Sequence, residues 1–261
     1  MAIFTYYYGS EHGEPIHTYE QWETAFRVHD SKKDVDHWKI GFSAQSLAED
    51  FMCFDGELML QQMIEQFTGE HIEGTPIAMI EHGSPFDTYK RPRMQDLAVK
   101  GKLTNGKSFF IGVEAKVHEP FGSMTLKNQY AYVSEKEKKG EKTNAGKRLR
   151  GLIKDFLGHD DFSELTPNEQ DIRYQLLYYL AGSFREDGDY VFMPVVAYHQ
   201  QFKETDNYKA YNAFIDALGG FSKQSIFIQG KEVIGYVKNI SIQEKDGTSL
   251  TKTIYTCYIT K

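Results

Sequence analysis

The chain has 261 residues, of which 30 are Lys or Arg and 37 are Asp or Glu, for a formal net charge of −7. That acidic balance argues against a strong non-specific nucleic-acid binder, whose affinity comes from cations neutralising phosphates, though it leaves room for a local basic path. The longest apolar runs fall far short of the ~18 residues of a membrane span, and the two cysteines, Cys53 and Cys257, form neither a CxxC nor a zinc-finger spacing.

The first residues, Met1-Ala2-Ile3-Phe4-Thr5-Tyr6, lack the basic start and cleavage motif of a secretory signal, so a reducing, cytoplasmic setting is expected. The nine histidines are scattered without ligand spacing, which argues against a structural zinc site. Residues 3–8 read as a strand. Thr18-Tyr19-Glu20-Gln21 reads as a capping box opening a helix with Trp22 and Phe26 on one face. Ser43 is placed as the N-cap of a helix carrying Leu47, Ala48 and Phe51. Asp55 opens another, with Leu58, Met59, Gln62, Met63 and Phe67 ahead of a Gly69 stop. That methionine stripe reads as core. Ile77 to Glu81 is a short strand, followed by a Gly- and Pro-bearing loop.

Next come two candidate strands, RMQDLAVK and FFIGVEAKV, joined by Gly101-Lys102-Leu103-Thr104-Asn105-Gly106-Lys107. A three-residue hairpin loop is typically a type I turn followed by a residue at positive φ, which suits Thr104-Asn105-Gly106. Leu103 then faces Lys107, and Asp96 falls opposite Glu114. A two-residue loop would slip the register and throw the acids onto opposite faces. Side-chain alternation favours the longer loop: Leu97 and Val99 join Phe109, Ile111, Val113, Ala115 and Val117 on one apolar face. The other face carries Met94, Asp96, Ala98 and Lys100 with Phe110, Gly112, Glu114, Lys116 and His118. Two acids directly opposite repel, so one is protonated or a cation sits between them. Lys116 shares their face and could neutralise part of the charge. The pattern acid-x-Lys occurs also at Asp30-Ser31-Lys32 and Glu137-Lys138-Lys139, both in hydrophilic stretches that read as solvated charge.

Beyond the hairpin, residues 122–146 show no clean period and are expected to lack regular structure. Lys136, Lys138, Lys139, Lys142, Lys147, Arg148, Arg150 and Lys154 form the best candidate basic path. Leu149, Leu152, Ile153 and Phe156 mark an amphipathic helix ending at Gly158. Thr166-Pro167 opens a helix through Leu180. Val191 to Tyr198 reads as a buried strand and Tyr208 to Leu218 as a helix. From Ser225 onward, alternating strands with turns at Gly230 and Asp246-Gly247 read as a small β appendage.

Asp96 followed by Glu114-x-Lys116 resembles the PD-(D/E)XK nuclease superfamily. The likeness extends to an uncharacterised bacterial branch of it through Ser43-Ala44, Leu47-Ala48, Glu81-His82, Asp96-Leu97, Val113-Glu114-Ala115-Lys116, Glu119-Pro120-Phe121-Gly122 and Arg173-Tyr174-Gln175-Leu176-Leu177. Gln95 stands where the family pattern has Pro. The resemblance implies an α/β, restriction-endonuclease-like αβββαβ core with a mixed central sheet at residues 41–222. Residues 1–40 would be an N-terminal extension, and 223–261 a C-terminal β extension packed on the core. It further implies Mg²⁺ or Mn²⁺ held by Asp96, Glu114 and the carbonyl of Ala115, with Lys116 orienting the attacking water. Hard carboxylate oxygens suit those ions. Gln175 and Tyr179 resemble the Gln-x-x-x-Tyr element of RecB-like nucleases. A further acid is expected from Glu49, Glu57 or Glu81, with Glu81 favoured at its strand end. His118 is either a surface residue or a proton-transfer group. The implied function is a metal-dependent DNA endonuclease or exonuclease, a homodimer being expected for double-strand cutting. The alternatives are a catalytically silent module of the same fold that binds a protein or nucleic acid, and a nucleotide phosphohydrolase.

Overall fold

A computed structural model describes residues 3–30, 38–39, 42–198, 206–244 and 246–261. The strands are β1 (Thr5–Tyr8), β2 (Pro15–Ile16), β3 (Ile72–Ser84), β4 (Arg93–Leu103), β5 (Ser108–Lys116), β6 (Tyr190–Ala197), β7 (Ser222–Ile228), β8 (Lys231–Gln243) and β9 (Ser249–Thr260). The helices are α1 (Tyr19–Asp30), α2 (Ser43–Cys53), α3 (Gly56–Thr68), α4 (Leu126–Lys138), α5 (Ala145–Leu157), α6 (Pro167–Gln170), α7 (Tyr174–Arg185) and α8 (Asp206–Leu218). The strands form one mixed sheet in the order β2-β1-β3-β4-β5-β6-β9-β8-β7. The pairs β1/β3, β5/β6 and β6/β9 are parallel; the others are antiparallel. Among the described residues no helix is long and apolar enough to cross a membrane.

Both faces of the sheet are covered, as a mixed α/β architecture requires. On one face Leu97, Val99, Ile111, Val113 and Ala115 share a core with Trp22, Phe26, Leu47, Phe51, Met59 and Met63 of α1–α3. On the other, Ala98, Phe110, Val191 and Met193 pack against Leu149, Ile153, Leu176, Leu180 and Ile215 of α5, α7 and α8. Five of the first set and two of the second are hairpin residues assigned to those faces by alternation, and that assignment holds.

The hairpin adopts the three-residue loop. Leu103 N–H bonds Lys107 O at 2.9 Å, Gly106 N–H bonds Leu103 O at 2.8 Å, and Gly106 has φ 79°. The pairs run from Lys102↔Ser108 to Leu97↔Val113. Other expectations are corrected. The 122–146 stretch contains α4, whose N-cap Thr125 accepts from Asn128 N–H; it buries only Leu126 and Val133, too few to leave a periodic signature. The helix expected from Thr166-Pro167 to Leu180 is broken between α6 and α7, because that backbone turns to α4: Leu126 N–H bonds Ile172 O, and Tyr174 N–H bonds Met124 O. Ser43 begins α2 but Phe42 is the cap residue. At the chain ends β1 pairs with β3 and β9 with β6, so both terminal segments add strands to the central sheet. Of Asp30-Ser31-Lys32, Ser31 and Lys32 lie outside the described residues.

Candidate active site

The site forms where β3 and β4 break step. From Ile77↔Lys100 to Ile80↔Leu97 the pairing is regular; then Glu81 takes φ 51°, and pairing resumes at His82↔Gln95 and Ser84↔Arg93. A non-glycine residue in the left-handed region marks an imposed bend. Its effect is to turn Arg93 and Gln95 toward α7. Gln95 Nε2 reaches Ser183 Oγ at 3.2 Å, and Arg93 pairs with Glu114. Strict alternation had put Met94 on this inner face; instead Met94 is 41% exposed. The β4–β5 ladder has ended at Leu97↔Val113, and the Asp96 carboxylate takes the next β5 donor, Ala115 N–H, at 2.7 Å.

Glu114 is the centre of the cluster, only 1% exposed. Its Oε1 receives Lys116 Nζ and Gln175 Nε2, each at 2.6 Å, while its Oε2 pairs with the Arg93 guanidinium. Burial opposes its ionisation, but Arg93 and Lys116 outweigh that and hold its carboxyl below the usual range. Asp96 differs. Burial first, then the adjacent Glu114 charge, push its carboxyl up to about 6, against the pull of Lys116 and Arg93. Lys116 is raised in turn: burial works against its charge, and Glu114 and Asp96 more than compensate. The expected trio of Asp96, Glu114 and Lys116 therefore does converge.

α7 supports the trio from above. Gln175 supplies a donor to Glu114, and Tyr179 Oη donates to the carbonyls of Gly112 and of Pro194, the latter at 3.1 Å, tying the helix to β5 and β6. The Arg93 guanidinium lies 5.6 Å from the Tyr178 ring and 5.9 Å from that of Tyr179. Lys116 Nζ lies 5.5 Å from the Phe121 ring. Glu119 accepts from Val117, His118 and Ser43 N–H groups, fastening the end of β5 to the start of α2.

The remaining candidates separate. Glu57 is structural: it accepts from Ile3 N–H, Phe4 N–H and Tyr6 Oη, anchoring β1 away from the trio. Glu49 is exposed on α2, and His118 is exposed beyond β5. Glu81 lies on the bend, between pairs that bring it beside Asp96 in register. Much of the basic stretch is paired internally: Lys136 with Glu141, Lys139 with Glu135, Arg148 with Asp87, Arg150 with Glu137 and Lys154 with Asp160. Arg93 and Gln95 were missed by the sequence reading, since their orientation depends on the Glu81 bend.

Among the described residues no group of three or more His, Cys, Asp or Glu side chains gathers to hold a metal. The oxygens near one another at the β5 end are the Asp96 and Glu114 carboxylates and the Ala115 carbonyl. Lys116 O accepts from Tyr198 N–H at 2.7 Å, so that carbonyl points to the β6 side. Successive peptide groups of a strand alternate, which turns the N–H and C=O of Ala115 toward β4, where Asp96 already takes the N–H. Asp96, Glu114 and the Ala115 carbonyl offer hard oxygens of the kind that would hold a small divalent cation, but both Glu114 oxygens are engaged here, by Lys116 and Gln175 on Oε1 and by Arg93 on Oε2.

No curated protein and no solved structure matches the chain. A family model described as a domain of unknown function, DUF6946, matches residues 15–245, and the chain belongs to that family.

Proposed function

We propose that the protein is a metal-dependent nuclease of the PD-(D/E)XK type, cutting phosphodiester bonds in DNA. The observation that carries this reading is the trio itself: half-buried Asp96 beside buried Glu114, with the Lys116 ammonium 2.6 Å from the Glu114 carboxylate. Supporting it, α3, β3, β4, β5, α7 and β6 give an α-β-β-β-α-β order once α4–α6, inserted between β5 and α7, are set aside, with the two acids on the second and third of those strands. Asp96, Glu114 and the Ala115 carbonyl would hold Mg²⁺ or Mn²⁺. The bound ion would polarise the phosphoryl oxygen and make water a better nucleophile. Lys116 orients that water and balances charge on the phosphate, while Gln175 keeps Glu114 in place. Lys90 and Arg91, exposed just ahead of β4, are the cations we assign to a phosphate backbone. The free thiols Cys53 and Cys257 agree with a reducing cytoplasm. A homodimer would supply the second site needed to cut both strands.

The test is cleavage of duplex DNA, single-stranded DNA and RNA with Mg²⁺ or Mn²⁺. DNA should be cut, a chelator should stop the reaction, and Glu114→Gln or Lys116→Ala should each slow it by about 10²-fold or more in folded protein. Undiminished cleavage by the purified double variant would reject the assignment. A silent binding module is the second reading. It is favoured by one observation: Arg93 and Lys116 together match the charge of Asp96 and Glu114. Absence of Mn²⁺ uptake by the wild type would select it.

A further inference from the structure

Arg93 raises a question that the nuclease reading does not answer. Its guanidinium stands on the carboxylate that a metal would need. Two acids, Asp96 and Glu114, meet two bases, Arg93 and Lys116, and all but the half-buried Asp96 are almost closed to water. A divalent cation arriving alone would leave this buried cluster with a surplus of two positive charges, and uncompensated buried charge is strongly unfavourable. Arg93 would have to leave, or an anion would have to enter with the metal.

The surroundings of Arg93 indicate which anion. Arg93 is 8% exposed, yet its Nε is buried without a hydrogen-bond partner, and so is Oε1 of neighbouring Gln95. The Arg93 fork thus uses Nη2 on Glu114 and holds a further donor unused. A guanidinium with adjacent N–H groups available matches a phosphate bidentately, in a way no other side chain can.

We propose that Arg93 is a positioning residue that couples metal to substrate. It neutralises Glu114 in the free protein and transfers to a phosphate group when one arrives, so that the divalent cation and the phosphate load together. The proposal rests on the metal-dependent reading above. By linkage, phosphate tightens metal binding by the same factor that metal tightens phosphate binding.

The experiment is calorimetric titration of Mn²⁺ into the full chain in the presence of thymidine 5′-monophosphate or of thymidine, with blank titrations for Mn²⁺ binding to the nucleotide. Wild type should bind Mn²⁺ about tenfold or more tightly with the monophosphate than with the nucleoside. Arg93→Gln, its fold checked by circular dichroism, should bind Mn²⁺ tightly with thymidine alone and gain less than about twofold from the phosphate. Equal Mn²⁺ affinity of the wild type with both compounds overturns the proposal, even if the variant does not fold. So does an Arg93→Gln protein that binds Mn²⁺ no more tightly than wild type. No Mn²⁺ binding in either protein under any condition overturns the metal-dependent reading itself, a result distinct from metal binding without coupling.

Discussion

Glu114 is where a conventional alanine test would mislead. Removing its carboxylate leaves Arg93 and Lys116 buried and facing nothing. Breaking a buried pair by deleting one partner typically costs about 3–5 kcal/mol. Glu114→Ala is therefore expected to lower the urea midpoint sharply. Glu114→Gln also removes the charge and turns an amide donor toward donors, but it keeps the shape and one acceptor oxygen and should lose less than Ala, so loss of cleavage in a folded Gln variant reports on chemistry. Equal destabilisation by both would show that the carboxylate charge, not the filled space and hydrogen bonds, stabilises the cluster. At this scale the trio was legible because a short hairpin of known loop type fixes which residues face each other. Arg93 was not legible. Its inward turn depends on Glu81 at φ 51°, and nothing in the side chain of a glutamate announces a left-handed backbone.

Between elements, α7 comes close to the β4–β5 hairpin because glycines line the contact. A Cβ on Gly112 would stand 2.7 Å from Ser183 Oγ, and one on Gly182 would stand 2.9 Å from Arg93 Cβ and 3.3 Å from Gln95 Nε2. Gly182→Ala is expected to push helix and strand apart at a cost of about 1–3 kcal/mol, the usual range for overpacking. By displacing Arg93 from Glu114 it should also tighten Mn²⁺ binding in the absence of a phosphate. A Gly182→Ala protein with unchanged stability and unchanged metal affinity would refute this view of the contact. Gln175 and Tyr179 could be placed from their four-residue spacing on an apolar helix, because an amide and a hydroxyl there need partners. The α4 helix and the α6–α7 break could not. Both arise from backbone bonds between segments more than forty residues apart, such as Leu126 N–H to Ile172 O.

Across the molecule, the alternation of the terminal segments announced strands but not where they would go. Only long-range pairing sets β9 beside β6 and β1 beside β3. Glu186, just past α7, connects these parts: it accepts from His82 at 2.8 Å, pairs with Lys100 at 2.7 Å, and its backbone carbonyl accepts from Lys252 of β9. Burial would raise its carboxyl, but the His82 and Lys100 contacts win and bring it from 4.5 down to about 2. The unfolded chain then binds more protons than the folded one between these values, so stability rises with pH across that window. Glu186 should contribute about 3 kcal/mol at neutral pH, lost progressively as pH falls from about 4.5 toward 2. Glu186→Gln should be less stable at pH 7 and flatten that acid limb in thermal melts. An acid limb of undiminished steepness would contradict the assignment.

The central claim is that the ends of β4 and β5 hold a divalent ion for phosphodiester chemistry. Anomalous diffraction from crystals grown with Mn²⁺ and thymidine 5′-monophosphate tests it most directly. The account predicts a peak bonded to one oxygen each of Asp96 and Glu114 and to the Ala115 carbonyl, with Arg93 turned from Glu114 onto the phosphate. A map with no peak there, and Arg93 still paired with Glu114, would contradict it.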